Sequence, residues 1–272
     1  MKEFIREFVS GYADINLDGV SDSIITTMGV IILAIIILSV FALVVAIWLG
    51  ISYSRYNRKK NSCGKTGEQV ARVILDNNDL SHIKVTKTGS IMFGNSYSHY
   101  FKKVRLRRLT WKKDSVTSLT MAAQKASLAI LDKDKDTDMK ARIRMTPIIY
   151  FGPLAFIPLI IIGALLDIFV IKSTNCMALI ICSVVGTVIY IVSFVMSILV
   201  LKTEKKAQAK AIEIMKAQGL ASDEEIIMAK KLFKLYNIEY VNDMIISLLE
   251  LVYRVLQIIA YVQNANSSTT SD

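Results

Sequence analysis

The sequence predicts an α-helical membrane protein in which three transmembrane helices carry a cytoplasmic α+β domain. Three observations predict it. The 272 residues are 53% apolar with a mean hydropathy of +0.44, too apolar for a soluble domain of this size. The apolar residues gather in three runs, at 24–53, 147–171 and 177–201. Each run reaches the roughly 20 residues a helix needs to cross about 30 Å of hydrocarbon. Charge is unevenly placed around them: residues 1–23 hold two basic and five acidic side chains, 54–146 hold 21 and eight, and 202–272 hold nine of each.

Basic segments stay on the cytoplasmic side. The expected layout is an extracytoplasmic segment 1–23, a first span 24–53, a cytoplasmic domain 54–146, and a membrane hairpin of spans 147–171 and 177–201. A cytoplasmic helical segment 202–262 and a disordered tail 263–272 follow. The N-terminus lies outside and the C-terminus inside. The first run starts late, is long and follows acidic residues, unlike a cleaved signal peptide. The net charge of +10 then belongs mainly to one domain beside anionic headgroups. No zinc finger, recognition helix or aromatic nucleic-acid motif accompanies it, so no nucleic-acid partner is expected. Three cysteines, Cys63, Cys176 and Cys182, do not make a disulfide framework.

From the start of the chain, Phe4, Ile5, Phe8, Val9 and Tyr12 share one helical face and suit the outer leaflet. In "DINLDGVSD", Asp14, Asn16, Asp18 and Asp22 match positions 1, 3, 5 and 9 of a calcium loop. Position 12 is Ile25 where a bidentate Glu is needed, so an Asx-rich turn capping the first span is the preferred reading. The "GKT" at 64–66 lacks the earlier glycine of a phosphate loop. "TGEQVARVILDNNDL" reads as a helix with Val70, Val73 and Ile74 inward and Asn77–Asn78 closing it. "IKVTK" and "KKVRLRRL" alternate at period two and read as strands, with Val104 and Leu106 opposite Arg105 and Arg107. Lys102, Lys103, Arg105, Arg107, Arg108, Lys112 and Lys113, with Tyr100, Phe101 and Trp111 among them, suit a lipid headgroup surface or a solvated sheet face.

A helix over 115–131 follows, capped by Asp114 or Ser115, and "DKDKDTD" reads as a solvated loop. Beyond the hairpin, "KTEKKAQAKAIEIMKAQG" reads as a helix ending at Gly219, and Ser222 with Glu225 forms a capping box for the next. Residues 241–262 are apolar but hold Asp243, Glu250 and Arg254. They read as a helix packed on the domain or lying at the inner interface, with a Glu250–Arg254 pair, a fourth span being the alternative.

The order of these segments carries a resemblance. "KTGEQVARVILDNNDL", the strand "KKVRLRRL", the helix "TMAAQKASLAIL" and "GLASDEEIIMAKKLF" together resemble the YugP-type membrane neutral zinc metallopeptidases of bacteria, from about Tyr53 to Val262. The resemblance implies a zinc-peptidase-like fold for the cytoplasmic domain and a bacterial cytoplasmic membrane. It also implies a helix carrying His-Glu-x-Gly-His, whose two His reach zinc from one face while the Glu activates water. Here the matching residues are Gln124 and Leu128 for the two His, Lys125 for the Glu and Ser127 for the Gly. The family's Leu-Pro-x-Glu-Phe-Asp-Ala segment reads "LKTEKKA", so Glu204 keeps the third-ligand position.

Gln is a poor zinc ligand, Leu is none, and Lys cannot act as a carboxylate base. Zinc is therefore expected to be absent, with Lys125 paired to Glu204 in its place. The expected function is that of a catalytically inactive homologue. It would act as an adaptor or regulatory subunit for another membrane protein or an active relative, with homo-oligomers as a further partner class. The alternatives are an active metallopeptidase with ligands from a partner or from His82 or His99, and a lipid-organising structural protein.

Overall fold

The computed structural model describes residues 2–13, 17–88, 94–171 and 177–269. Eight α-helices and three strands follow one another: α1 (Lys2–Ala13), α2 (Asp22–Arg58), α3 (Gly67–Asp76), β1 (Lys84–Thr88), β2 (Ser96–Ser98), β3 (Lys103–Arg107), α4 (Arg108–Lys112), α5 (Val116–Lys133), α6 (Thr137–Leu165), α7 (Met177–Ala217) and α8 (Asp223–Thr269). A π-helical turn, Leu166–Ile171, extends α6.

Among the described residues four helical stretches, not three, are long and apolar enough to cross a membrane: Asp22–Arg58, Thr137–Ile171, Met177–Ala217 and Asp223–Tyr261. The segments expected at 202–218 and 241–262 are not separate helices. The first continues α7 and the second lies inside α8, which also runs through most of the tail expected to be disordered. The reason is propensity: Lys, Glu, Ala and Gln after Leu201 change the charge of the helix but are good helix formers. Only Gly219, at φ 61, and the Ser222–Glu225 capping box break the chain between α7 and α8.

The chain divides into two compact units, residues 1–44 with 150–194 and 241–272, and residues 45–149 with 195–240. In the first, α1 does not stand alone on a surface. Val9 is fully buried with Met28, Ile32, Tyr253 and Ala260, and a Cβ on Gly29 would lie 2.9 Å from Ile5, so α1 rides closely on α2. The end of α8 meets the start of α2, where Ser21 N–H donates to Gln263 Oε1 at 3.2 Å. Asp167 is buried and accepts from the N–H groups of Ala178 and Leu179, closing the first turn of α7. Glu250 and Arg254 do not pair; the Arg254 guanidinium sits 5.5 Å over the Phe156 ring.

The second unit holds the α+β core. β3 is central in the sheet order β1-β3-β2, parallel to β1 and antiparallel to β2. Val104 and Leu106 point into a core with Val70, Ile74, Leu119, Ala122 and Met215. The expected strand over 102–109 is shorter, because Arg108–Lys112 turns into α4 and buries Thr110 against α3. That approach needs Gly67, where a Cβ would lie 2.1 Å from the Thr110 carbonyl oxygen. Thr66 and Gln69 cap α3 reciprocally, and Ser115 caps α5 through the Ser118 N–H.

Candidate functional site

α5 is the most enclosed helix of the second unit, with fourteen of its eighteen residues buried. Its small residues permit this: Ala122, Ala123, Ala126 and Ala129 let neighbouring helices approach from several directions. Two long polar side chains stand in its middle, Gln124 and Lys125, and both point to one partner on α7. Gln124 Nε2 donates to Glu204 Oε2 at 2.8 Å, and Lys125 Nζ donates to the same oxygen at 2.9 Å. Arg142, on the first turns of α6, donates to Glu204 Oε1 at 3.0 Å and to the Thr203 hydroxyl at 2.8 Å.

The Lys125–Glu204 contact expected from the sequence is present, but it is half of a larger arrangement. Side-chain exposure is 13% for Lys125, 17% for Arg142 and 18% for Glu204. Burial disfavours the charged carboxylate, yet Lys125 and Arg142 outweigh it and hold Glu204 below the usual glutamate range. One turn along α5 from Gln124, Leu128 packs with Met139 of α6 and Ala207 of α7. Hydrocarbon therefore seals the centre on that side. Ser127 is fully buried and its hydroxyl has no hydrogen-bond partner.

A second set of ion pairs clamps the same helices. Lys206 reaches Asp136 and Asp138 at 2.6 Å each, and Lys202 reaches Asp138 at 2.9 Å. The "DKDKDTD" segment, expected to be a solvated loop, is thus the end of α5 and a short exposed turn followed by Asp136 and Asp138, which engage α7. Lys206 holds Asp138 below its ordinary range by hydrogen bonding.

The resemblance raises the question of zinc, and the donor set answers it. Zinc sites gather three or four His, Cys or carboxylate donors. Gln124, Lys125, Leu128 and Glu204 offer an amide, an ammonium, a hydrocarbon and one carboxylate, and both carboxylate oxygens already accept from protein nitrogens. These residues do not fit zinc. Among the described residues no three His, Cys, Asp or Glu side chains come together as a metal-binding group.

His99 belongs to a different cluster. Its Nδ1 lies 2.6 Å from Asp132 Oδ2, the oxygen that also accepts from the Tyr97 hydroxyl. An ionised carboxylate only accepts, so Nδ1 carries the proton. Desolvation, then the Asp132 bond, pushes the Tyr97 hydroxyl far above its ordinary range. His82 and His99 line one cleft in this unit, with Asp132 between α5 and the β2–β3 turn.

The basic stretch from Lys102 to Lys113 does not form one face. Lys102 sits in the β2–β3 turn, Lys103, Arg105 and Arg107 on β3, Arg108 and Lys112 on α4, and Lys113 just after it. Phe101 is exposed beneath Lys103 and Arg105, at 4.7 and 5.6 Å, whereas Trp111 packs on the core. Of the calcium candidates, Asp14 and Asn16 lie outside the described residues, and Asp22 is bound by Lys2 Nζ at 2.9 Å. Asp18 is exposed in the turn before α2.

Sequence reasoning missed Arg142, 62 positions from Glu204 in the chain. Its only signal was the basic "MKARIR" leading to the apolar run. It also missed the Tyr97–His99–Asp132 cluster, because β2 is three residues long and leaves little alternation to read.

Comparison with known proteins bears on all of this. Residues 30–259 match the family described as "Putative neutral zinc metallopeptidase". A protein of Bacillus subtilis (strain 168) described as "Putative membrane protease YugP" is 23% identical over 220 residues, which cover 79% of this chain and 92% of that one. No solved structure matches the chain. With long apolar helices and a family match across most of its length, the chain is a membrane protein that belongs to the neutral zinc metallopeptidase family of YugP type.

Proposed function

We propose that this chain is a non-catalytic member of its family, one that uses the peptidase scaffold to bind another membrane protein, such as an active relative. A single observation carries the reading. At the position where the resemblance puts zinc, Glu204 is engaged by Gln124, Lys125 and Arg142, and its two oxygens hold three nitrogen donors between 2.8 and 3.0 Å. A polar centre of this kind supports helix packing, and beside its one carboxylate it offers neither the histidines of a zinc site nor a second carboxylate as base. The scaffold that remains is a membrane anchor with a rigid domain.

The test is metal content and peptidase activity of the detergent-purified full chain after zinc loading and desalting, alongside Gln124→His/Lys125→Glu/Leu128→His. The expected result is substoichiometric zinc and no hydrolysis for the natural chain, with zinc uptake in the triple variant. One zinc per chain in the natural protein, or casein cleavage blocked by a chelator, overturns the non-catalytic reading. Crosslinking in membranes before mild extraction tests the binding role. Recovery of lone protomers only counts against it.

The topology proposed with it has four crossings, with both termini outside. Its support is the hydrogen bond between Ser21 and Gln263 and the 6.0 Å approach of the Tyr12 and Tyr253 rings, which bring the two chain ends together. This replaces the inside C-terminus expected from three crossings. Alkaline phosphatase fused after Asp272 is expected to be active; an inactive fusion with a fluorescent cytoplasmic counterpart restores three crossings.

A further inference from the structure

The second unit contains a cleft of about 600 Å³ whose charges are not balanced. Five cations line it against one carboxylate, Asp132, which is already occupied by Tyr97 and His99. Lys133 is paired with Asp79 at 3.0 Å. Lys102, Lys135, Lys140 and Arg144 have no carboxylate within 4.0 Å among the described residues, whereas Lys202 and Lys206 nearby are paired with Asp136 and Asp138. Four unpaired cations around one concavity repel one another and raise the local concentration of anions.

The backbone adds a second, independent observation. Three non-glycine residues among those described have positive φ, and two of them are lysines of this cleft, Lys102 at 45° and Lys135 at 57°. Each sits in a tight turn, Lys102 N–H donating to His99 O and Lys135 N–H to Asp132 O. Glycine or asparagine fits such positions with less strain. Both lysines nevertheless line the cleft. Lys140 and Arg144 are four apart on α6 and share a helix face. The cleft therefore draws cations from three separate elements, with His99 fixed beside them by Asp132.

Its position indicates what the anion is attached to. Arg144 precedes Pro147, where the apolar run of α6 begins, by three residues, a rise of about 4.5 Å along the helix. Tyr100 and Phe101, which lie in the chain between His99 and Lys102 of the cleft, are both about two-thirds exposed, as aromatic residues are at membrane interfaces. Arg binds phosphate through a planar fork and Lys as a point charge.

We infer that this cleft, built by His99, Lys102, Lys135, Lys140 and Arg144, is a binding site for the phosphate group of an anionic phospholipid headgroup. It is independent of the non-catalytic reading above, because none of its residues touches the Glu204 centre.

Native mass spectrometry of the full chain in detergent, titrated with dioleoyl phosphatidylglycerol, tests it. The natural chain is expected to retain one lipid. Lys140→Gln/Arg144→Gln should weaken retention about tenfold or more, the loss expected from two charge-assisted hydrogen bonds. Lys230→Gln/Lys234→Gln, an equally exposed lysine pair on α8, removes two positive charges elsewhere and should change nothing. Added inorganic phosphate separates the two sources of the same chemistry. Displacement of the lipid at equal concentration assigns the site to free phosphate compounds and overturns the lipid assignment, and retention supports the lipid. Equal retention by the natural chain and Lys140→Gln/Arg144→Gln overturns it, and so does an equal loss in both paired variants. Unchanged thermal unfolding of the variants shows that they are folded.

Discussion

The Glu204 centre and the His99 cleft lie in the same unit, draw on the same helices α5 and α6, and treat charge in opposite ways. At Glu204, one carboxylate is enclosed by two cations and an amide that take up both of its oxygens. At the cleft, one carboxylate is spent on Tyr97 and His99 while four cations stay unpaired in the open. The difference teaches where in this domain polar groups hold the fold and where they wait for something. A buried, saturated network specifies packing, whereas an exposed, unsaturated one contributes no stability and requires another explanation.

The largest expected effect breaks the first half of that comparison. Glu204→Leu leaves Lys125 and Arg142 buried without a carboxylate, Arg142 keeping only the Thr203 hydroxyl. It should cost about 3–5 kcal/mol, as removal of one member of a buried ion pair does. Thermal or urea unfolding in detergent measures it. A loss no larger than that from an exposed pair such as Lys2–Asp22 would show that solvent reaches the centre. The pH dependence follows in sign. Because Glu204 titrates below its ordinary value of 4.5 when folded, its contribution is complete above that pH and disappears as pH falls through the folded value. Glu204→Gln should unfold less steeply with acid than the natural chain over that range.

Charge reversal sharpens the same point. Lys125→Glu puts two carboxylates on one cation, and Glu204→Lys puts three cations together. The double variant restores one pair but leaves Arg142 facing Lys, because Arg142 holds the second oxygen. It should therefore be more stable than either single variant and less stable than the natural chain. Full recovery would mean that Arg142 contributes nothing. Equal damage in all three would mean that the contacts matter only as packing.

These expectations show which parts of the molecule the sequence disclosed. Local signals did well: Ser115 before α5, Gly219 after α7, the Ser222–Glu225 box and the outward arginines of β3 all act within a few residues of themselves. The Lys125–Glu204 contact was accessible because the resemblance aligned two distant segments. Arg142 was not, because it matches nothing local and joins through tertiary packing of α6 on α7. The helix count failed for a related reason. The charges in "LKTEKKAQAKA" suggest the end of a span and Asp243, Glu250 and Arg254 argue against a fourth, but charge marks where a helix meets water and says little about where it stops.

The cleft predicts an effect of opposite sign. Lys135 has φ 57° just past the end of α5, the position most often filled by glycine. Lys135→Gly should stabilise the fold by about 1 kcal/mol through relief of backbone strain while weakening lipid retention. Stability and binding would then move apart, which is expected where strain is kept for function. If both fall together, Lys135 is part of the packing.

The smallest effect concerns Ser127, which the resemblance places where the family has glycine. Its hydroxyl is fully buried and has no hydrogen-bond partner, between an apolar core and the Glu204 centre. A buried donor that finds no acceptor is a cost to folding, and removing it leaves a methyl group of nearly the same shape. Ser127→Ala should therefore raise stability by up to about 1 kcal/mol, within reach of a careful thermal melt. A clear loss would mean that the hydroxyl does have a partner, a buried water or a shifted carbonyl, and that the wall of the centre is wetter than its closed ion pairs imply.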